Sequence, residues 1–423
     1  MISSYAWYLR EALKKIWVRV VSFAVLALLA AGLARLLQPY LPEDLALKTG
    51  SQAVDTLLGV LTSSMLAVTT FSLSIAVSAF AFAAASATPR ATVLLQEDRT
   101  TQNVLATFLG AFMFGLVGLI ALHAQFYGAS GKVVVFFFTV VVIGLVVVAL
   151  ISWIGHLMQF GRMGDTLDRV ERAATEALRR RLENLYLGGR PLLDVPTDRC
   201  APVLSTETGY IENIDMKALQ DHAEDLDARL FVHQLPGALV APGVPLMSVA
   251  AASISDAQAE ALGRAFMIGT RRTFEADPRF GLIVLTEIAS RALSPAVNDP
   301  GTAIDILGRH VRILSKWHEP NDCEVKFESV FVPPITLQEA IEDAFRPIAR
   351  DGVSFVEVQI RLHKALGLLV QTAPEAFAQA CEGMAREALE RAEAAGLMPS
   401  ELAAIRSEMS RYSRPGDKAP PEI

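Results

Sequence analysis

Hydrophobic and polar positions divide this chain near residue 160. Before that point, four long apolar stretches alternate with short polar ones: Val20 to Ala34, extended by Leu36 and Leu37; about Leu57 to Thr88; Asn103 to His123; and Lys132 to Gly155. Each approaches the roughly 20 residues that a bilayer-crossing helix requires, so the pattern predicts four transmembrane helices. Beyond residue 160 the apolar residues fall at helical or alternating spacing, as in a water-exposed α+β region. The expected fold class is a multi-pass α-helical membrane protein with a C-terminal α+β cytoplasmic domain.

The second apolar stretch differs from the others in being rich in hydroxyls and small side chains and free of charge. On a helix, Ser63, Ala67, Thr70, Ser74 and Ser78 follow steps of four, three, four and four, which places them in one stripe; Thr62, Ser64, Thr69 and Ser72 widen it. Two readings are open. Small residues let helices approach closely in lipid, so the stripe is a packing face. Alternatively it is the wet wall of a path, with Ser63, Thr70, Ser74 and Ser78 lining it and Phe71, Phe80 or Phe82 as an apolar constriction. An uncharged stripe argues against a proton pump or a mid-membrane ion site. Asp55 before the stretch and Arg90 after it are candidate pore-mouth charges in a symmetric assembly, or interfacial helix ends in the bland reading. His123 reads as interfacial.

Charge sharpens the division. Residues 1–160 carry nine of the 38 Lys/Arg and six of the 45 Asp/Glu, leaving 29 and 39 for the rest. An acidic second half argues against nucleic acid as a partner. Basic residues in short loops orient the spans: Arg10, Lys14, Lys15 and Arg19, then Arg90 and Arg99, then Arg162, Arg169 and Arg172 mark one side. Only Lys48 and Lys132 mark the other. Both termini are therefore expected in the cytoplasm of a bacterial inner membrane. The aromatic residues Trp7, Tyr8 and Trp17 suit an interfacial flank, although a cleaved signal peptide fits the same start. Arg35 is placed to reach the headgroups. Cys200, Cys323 and Cys381 are far apart and imply no disulfide framework or zinc site.

The second half reads as a connecting amphipathic helix over 161–190, a small β-rich module over 191–253, a mainly helical domain over 254–412 and a disordered tail over 413–423. Asp165 to Leu187 has Leu167, Val170, Ala174, Ala177 and Leu182 on an apolar side and is expected to continue the fourth span. TGYIEN and ARLFVHQ predict strands around a helix over Asp215 to Asp225, and LPGALVAPGVPLMSVA predicts a hairpin. Ser255-Asp-Ala-Gln258 has capping-box spacing for a helix running towards Arg272, and the device recurs at Thr336-Glu339 and Thr372-Glu375. Asp277-Pro278 opens another helix, and the helices from Pro334 to Arg411 are expected to bundle. Asp221, His222, Glu224 and Asp225 read as a solvated face in preference to a metal site, and His318 with Cys323 as an exposed pair. No metal or cofactor is expected.

Between two of these helices lies RALSPAVNDPGTA, Arg291 to Ala303, in which Asp299 can cap a helix that has Pro300 at its first position. With the four apolar stretches and the TGYI and PG elements, this run makes the chain resemble the bacterial predicted-membrane-protein family of domain of unknown function 2254. That resemblance implies an inner-membrane protein of the same layout and carries no activity. Arg291, Ser294, Pro295, Asn298, Asp299, Pro300 and Thr302 are its candidate site residues, as a structural helix-loop-helix knot, a ligand or subunit contact, or a catalytic centre. The run holds no histidine or cysteine and no recognisable nucleophile-base spacing.

No nucleotide-binding, metalloprotease or kinase signature occurs, and four spans are few for a monomeric transporter. The reading that follows is a homo-oligomeric inner-membrane channel or channel-like transport protein, its second span lining the path and its cytoplasmic domain regulating or assembling it. Its partners are the lipid bilayer, further copies of the chain and a small ion or ligand. A membrane-anchored scaffold or signalling protein is the alternative, and a membrane-bound enzyme using the Arg291 to Asp299 break a second one.

Overall fold

The computed structural model describes residues 16–40, 51–96, 98–126, 128, 130–193, 200–318 and 324–411. The expected N-terminal flank up to Lys15, the loop residues Pro42 to Lys48, Cys323 and the tail after Ser413 lie outside them. The chain forms two compact units, residues 1–166 and 167–423.

Among the described residues, the first unit contains four helices long and apolar enough to cross a membrane. They are α1 (Ile16–Leu37), α2 (Ser51–Ser86), α4 (Arg99–His123) and α5 (Lys132–Leu157), with a short α3 (Thr92–Gln96) between the second and third. Helix α4 is central, packing against α1, α2 and α5. Its glycines explain why. A Cβ on Gly110 would meet Phe23 at 2.5 Å, one on Gly115 would overlap the Thr62 hydroxyl, and one on Gly118 would touch Leu58. Backbone of α4 therefore lies directly against side chains of α1 and α2, the close approach that membrane helices use in place of a hydrophobic driving force. Ala27, Ala30, Ala31 and Ala34 form the complementary buried face of α1. Arg35 stacks over the Phe126 ring at 5.1 Å.

The fourth apolar helix does not run on into the next one. The chain turns after Leu157, with Gly161 at φ +76° packed on Ala79, before α6 (Met163–Glu183) starts. A left-handed residue in tight contact with α2 is a break that only glycine fills without strain.

In the second unit, α6 buries Leu167, Val170, Ala174, Ala177, Leu178 and Leu182 along one face. Among the described residues, eight short strands make two sheets: β1 (Gly189–Pro191), β2 (Ala201–Leu204), β3 (Gly209–Ile214), β4 (Leu230–Val232), β5 (Leu239–Val240), β6 (Pro245–Val249), β7 (Phe266–Gly269) and β8 (Phe327–Val332). The orders are β1-β8-β4-β6-β2 and β5-β3-β7. Helix α7 (Met216–Asp225) lies between β3 and β4 in the chain and is capped by Asp215, whose carboxylate accepts from the Ala218 N–H at 2.9 Å.

Several sequence expectations change at this level. The predicted hairpin splits: β5 pairs with β3 and β6 with β2 and β4, so the Pro242-Gly243 turn passes the chain from one sheet to the other. Strands β1, β7 and β8 extend the sheets beyond 191–253, with β8 parallel to both β1 and β4. Helix α8 (Asp256–Gly263) has the Ser255–Gln258 capping box but stops at Gly263, because Phe266–Gly269 is used as the partner strand of β3.

The remaining helices are α9 (Phe280–Ala292), α10 (Pro300–Leu314), α11 (Leu337–Asp351), α12 (Val356–Thr372), α13 (Pro374–Ala394) and α14 (Pro399–Ser410). They form a bundle in which α12 touches α10, α13 and α14. Thr336 caps α11, as its spacing suggests. Thr372 instead closes α12, donating to the Leu368 carbonyl at 2.9 Å, and Ala373 takes the cap position of α13. Gly396, at φ +76°, follows the end of α13.

Candidate functional site

Helix α2 has two faces of different chemistry. One buries Val54, Leu58, Leu61 and Met65 in the helix core, followed by Ser72, Ala76 and Ala83. The other carries Ser63, Ala67, Thr70, Ser74 and Ser78, all at least partly exposed, beside Phe71 and Phe82, which are 68% and 58% exposed. The structure thus brings the predicted stripe together on a face that packing within the unit leaves uncovered. Phe80 does not belong to it: its ring turns inward and meets Phe160 edge-on at 5.8 Å. Thr62 and Ser72 also lie off the open face, Thr62 half-buried over Gly115 and Ser72 buried at 1% exposure.

The stripe hydroxyls are satisfied by their own helix. Ser63 donates to the Gly59 carbonyl at 2.9 Å, Thr70 to Leu66 at 2.9 Å, Ser74 to Thr70 at 3.0 Å and Ser78 to Ser74 at 2.9 Å. This back-bonding removes the cost of carrying a hydroxyl through an apolar medium. It leaves each oxygen able to accept one further bond, from water or from a neighbouring helix. Large side chains flank small ones along the whole face, so it can meet a second helix closely or wall a narrow space.

At one end, Asp55 lies 3.7 Å from His123 Nε2, both side chains more than half exposed. Such a pair is weak in water. At the other, Arg90 is exposed in the turn that follows the helix, its backbone N–H 3.4 Å from the Thr88 hydroxyl. The stretch from Ser51 to Ser86 measures about 54 Å as a helix, well beyond the roughly 30 Å hydrocarbon core. Its ends can therefore reach both interfaces.

A polar clasp that sequence reading missed joins α4 to α5. Asp98 caps α4 and accepts from both the N–H and the hydroxyl of Thr101 at 2.7 Å. His156 Nε2 lies 3.0 Å from the same carboxylate and 3.2 Å from the Thr101 hydroxyl, with its ring 4.8 Å from that of Phe160. Carboxylate, hydroxyl and ring nitrogen meet at one point and tie the start of α4 to the end of α5. The Asp98 to Thr101 spacing and a histidine ending an apolar stretch were the available signals.

In the second unit, the Arg291 to Thr302 run forms the corner between α9 and α10. Ser294 donates to the Arg291 carbonyl at 2.6 Å, and the Asn298 N–H donates to the Ser294 carbonyl at 2.8 Å. Asn298 sits at φ +53°, a conformation that asparagine tolerates better than most residues. Asp299 then caps α10, accepting from the Thr302 N–H at 3.1 Å and its hydroxyl at 2.6 Å. Pro295 and Asn298 are exposed, and Pro300 opens the helix. These bonds all join one part of the run to another, and together they shape the corner.

Towards its C-terminal end α10 is tied to α6 by a charge network. Arg309, 7% exposed, reaches Asp168 and Glu171 at 2.7 Å and Asp305 at 2.9 Å, while Arg312 reaches Glu171 at 2.6 Å. Burial alone would raise the Glu171 carboxyl, but the hydrogen bonds and charges of Arg312 and Arg309 outweigh it and hold the group below the usual range. Among the described residues, no three His, Cys, Asp or Glu side chains are grouped to hold a metal ion, the Asp221 to Asp225 set included.

A family model described as "Predicted membrane protein (DUF2254)" matches residues 14–367. Relatives include the Uncharacterized protein MT1328 of Mycobacterium tuberculosis (strain CDC 1551 / Oshkosh) and the Uncharacterized protein Mb1321c of Mycobacterium bovis. Each is 29% identical over 228 residues, covering 50% of this chain and 42% of the relative. The chain thus spans less than half the length of these relatives. No solved structure matches.

Proposed function

Since the chain belongs to the DUF2254 family of predicted membrane proteins, we propose that it is a homo-oligomeric channel or channel-like transport protein with the open faces of α2 gathered around a shared path. The observation that carries this reading is the uncovered stripe: Ser63, Thr70, Ser74 and Ser78 lie on a face that the other helices of their unit leave open, flanked by Phe71 and Phe82. A single chain has too few spans to enclose a path, and copies related by rotation would close one. In this arrangement Phe71 and Phe82 narrow the path, and Asp55 and Arg90 stand at its two mouths. The second unit acts as a regulatory or assembly domain.

The distribution of basic residues supports four spans with both termini in the cytoplasm of a bacterial inner membrane. The test is reconstitution of the full chain in planar bilayers, paired with light-scattering mass in detergent. Unitary conductance from a multi-copy particle is expected. A monomeric particle that conducts nothing under voltage, tension or pH steps would overturn the proposal in favour of a membrane-anchored scaffold.

A further inference from the structure

Arg181 is a cation in the wrong place for a surface residue. It lies on the apolar stripe of α6, one turn beyond Ala177, and is only 4% exposed. None of its three guanidinium nitrogens has a hydrogen-bond partner. Burial pulls the group down to about 10, and the charge of Asp277 opposes that pull, so the side chain remains cationic at neutral pH. Asp277 does not neutralise it. That carboxylate is engaged by Arg272 at 2.6 Å and accepts the Arg279 and Phe280 N–H groups at 3.1 and 3.2 Å. A buried guanidinium with five unanswered donors costs several kcal/mol in a folded protein unless something else answers them.

The same residue lines a pocket of about 410 Å³. Two more cations, Arg180 and Lys326, line it, together with the amides of Asn184 and Asn213 and a single carboxylate, Glu275. Arg180 and Lys326 have acidic neighbours, Glu176 at 3.6 Å and Glu324 at 3.2 Å, but these are half-exposed surface pairs that water screens and a ligand can displace. Backbone geometry shapes the rim: Leu187 and Gly188 are consecutive left-handed residues, at φ +55° and +81°, that turn the chain out of α6 towards β1. The pocket thus combines excess positive charge, amide donors, room for a metabolite-sized molecule and one buried arginine without a partner.

We propose that this pocket is an anion site that takes a phosphate-bearing small molecule. A phosphomonoester fits better than a monocarboxylate because it brings close to two negative charges and three acceptor oxygens to a lining with three cations. The buried guanidinium of Arg181 contributes a full charge and unanswered donors at the lining, and Lys326 and Arg180 supply charge nearer the opening. This proposal does not depend on the path proposed along α2.

The test uses the full chain in zwitterionic nanodiscs, titrated with inorganic phosphate against acetate at matched ionic strength, read by calorimetry and by thermal unfolding. A second arm uses nanodiscs containing a phosphomonoester lipid and no added phosphate, which separates a soluble source from a headgroup. Stabilisation in either arm, absent with acetate and lost in Arg181→Met, is the expected result. The Arg181→Met protein without phosphate should melt no lower than the parent, since it has shed an unpaired buried charge. Lys326→Gln, at an exposed position where folding is not at stake, should weaken phosphate binding by about tenfold, the effect of one charge-assisted contact. No phosphate effect in either arm, equal response to acetate, or a phosphate response unchanged in Lys326→Gln and Arg181→Met would overturn the proposal.

Discussion

His310 shows how a single residue couples this fold to pH. It is fully buried in α10, with Nε2 3.3 Å from the Leu282 carbonyl and 3.4 Å from the Thr286 hydroxyl, and with Nδ1 unpartnered. Burial pulls its pKa down to about 4 from an ordinary 6.5, against the weaker opposing effects of the Leu282 carbonyl and Glu171. Above pH 6.5 the ring is neutral whether the chain is folded or not. Between pH 6.5 and 4 the unfolded chain binds a proton that the folded one refuses, so stability falls as pH drops; below 4 the loss stops growing. The full gap is worth roughly 3 kcal/mol, of which about 2 is lost by pH 5. His363, buried and bonded to the Gln359 and Ala385 carbonyls, is lowered in the same direction. Urea unfolding of the full chain in detergent should therefore show a smaller drop between pH 7 and pH 5 for His310→Leu than for the parent. Equal drops would contradict this assignment. Nothing in the spacing around His310 announced it, because the ring occupies a core position of α10 beside Ala303, Ile306 and Leu307 where an apolar side chain would be expected. Arg181 was closer to legible. It continues the Leu167, Val170, Ala174, Ala177 stripe by one step of four, and an arginine on an apolar stripe is an anomaly that sequence alone can flag.

At the scale of elements, helix ends and helix faces were the readable part. The capping pairs at Ser255 and Thr336 and the Asp299-Pro300 start are local hydrogen-bond and backbone preferences, which adjacent residues determine. Strand assembly is the opposite case. Strand β8 lies between β1 and β4 although it follows β1 by more than a hundred residues, and pairing of that kind leaves no local trace. The short Phe266–Gly269 strand was lost inside an expected helix for the same reason. Glycines of the third apolar helix give an element-level prediction. Gly115→Leu must displace Thr62 and crowd the Leu58 carbonyl, an overpacking cost of about 1–3 kcal/mol. Gly144→Ala on α5, where nothing lies within 4 Å, is the matched control. Thermal unfolding in detergent should fall for the first substitution only; equal melting temperatures would show that α2 and α4 do not approach as described.

The whole molecule is a unit built on four long apolar helices and a second, mixed α/β unit, each with its own core. The change of character near residue 160 was legible in the sequence because bilayer-length apolar stretches and acidic amphipathic helices are compositional opposites. What the stripe on α2 serves was not legible, since small residues and hydroxyls satisfy both a packing face and a wet wall. The structure narrows the matter by showing that the stripe is unused within its own unit, while Phe80 and Ser72 turn inward. The central claim, that this face lines a water-filled path, is tested most directly by cysteine accessibility in the membrane. In a background without native cysteines, Ser63→Cys, Thr70→Cys, Ser74→Cys and Ser78→Cys should each react with a water-soluble, membrane-impermeant thiol reagent, and Ser72→Cys should not. If the four stripe positions are as unreactive as Ser72→Cys, or react only with a lipid-soluble reagent, the face meets lipid or packed protein and no path runs along it.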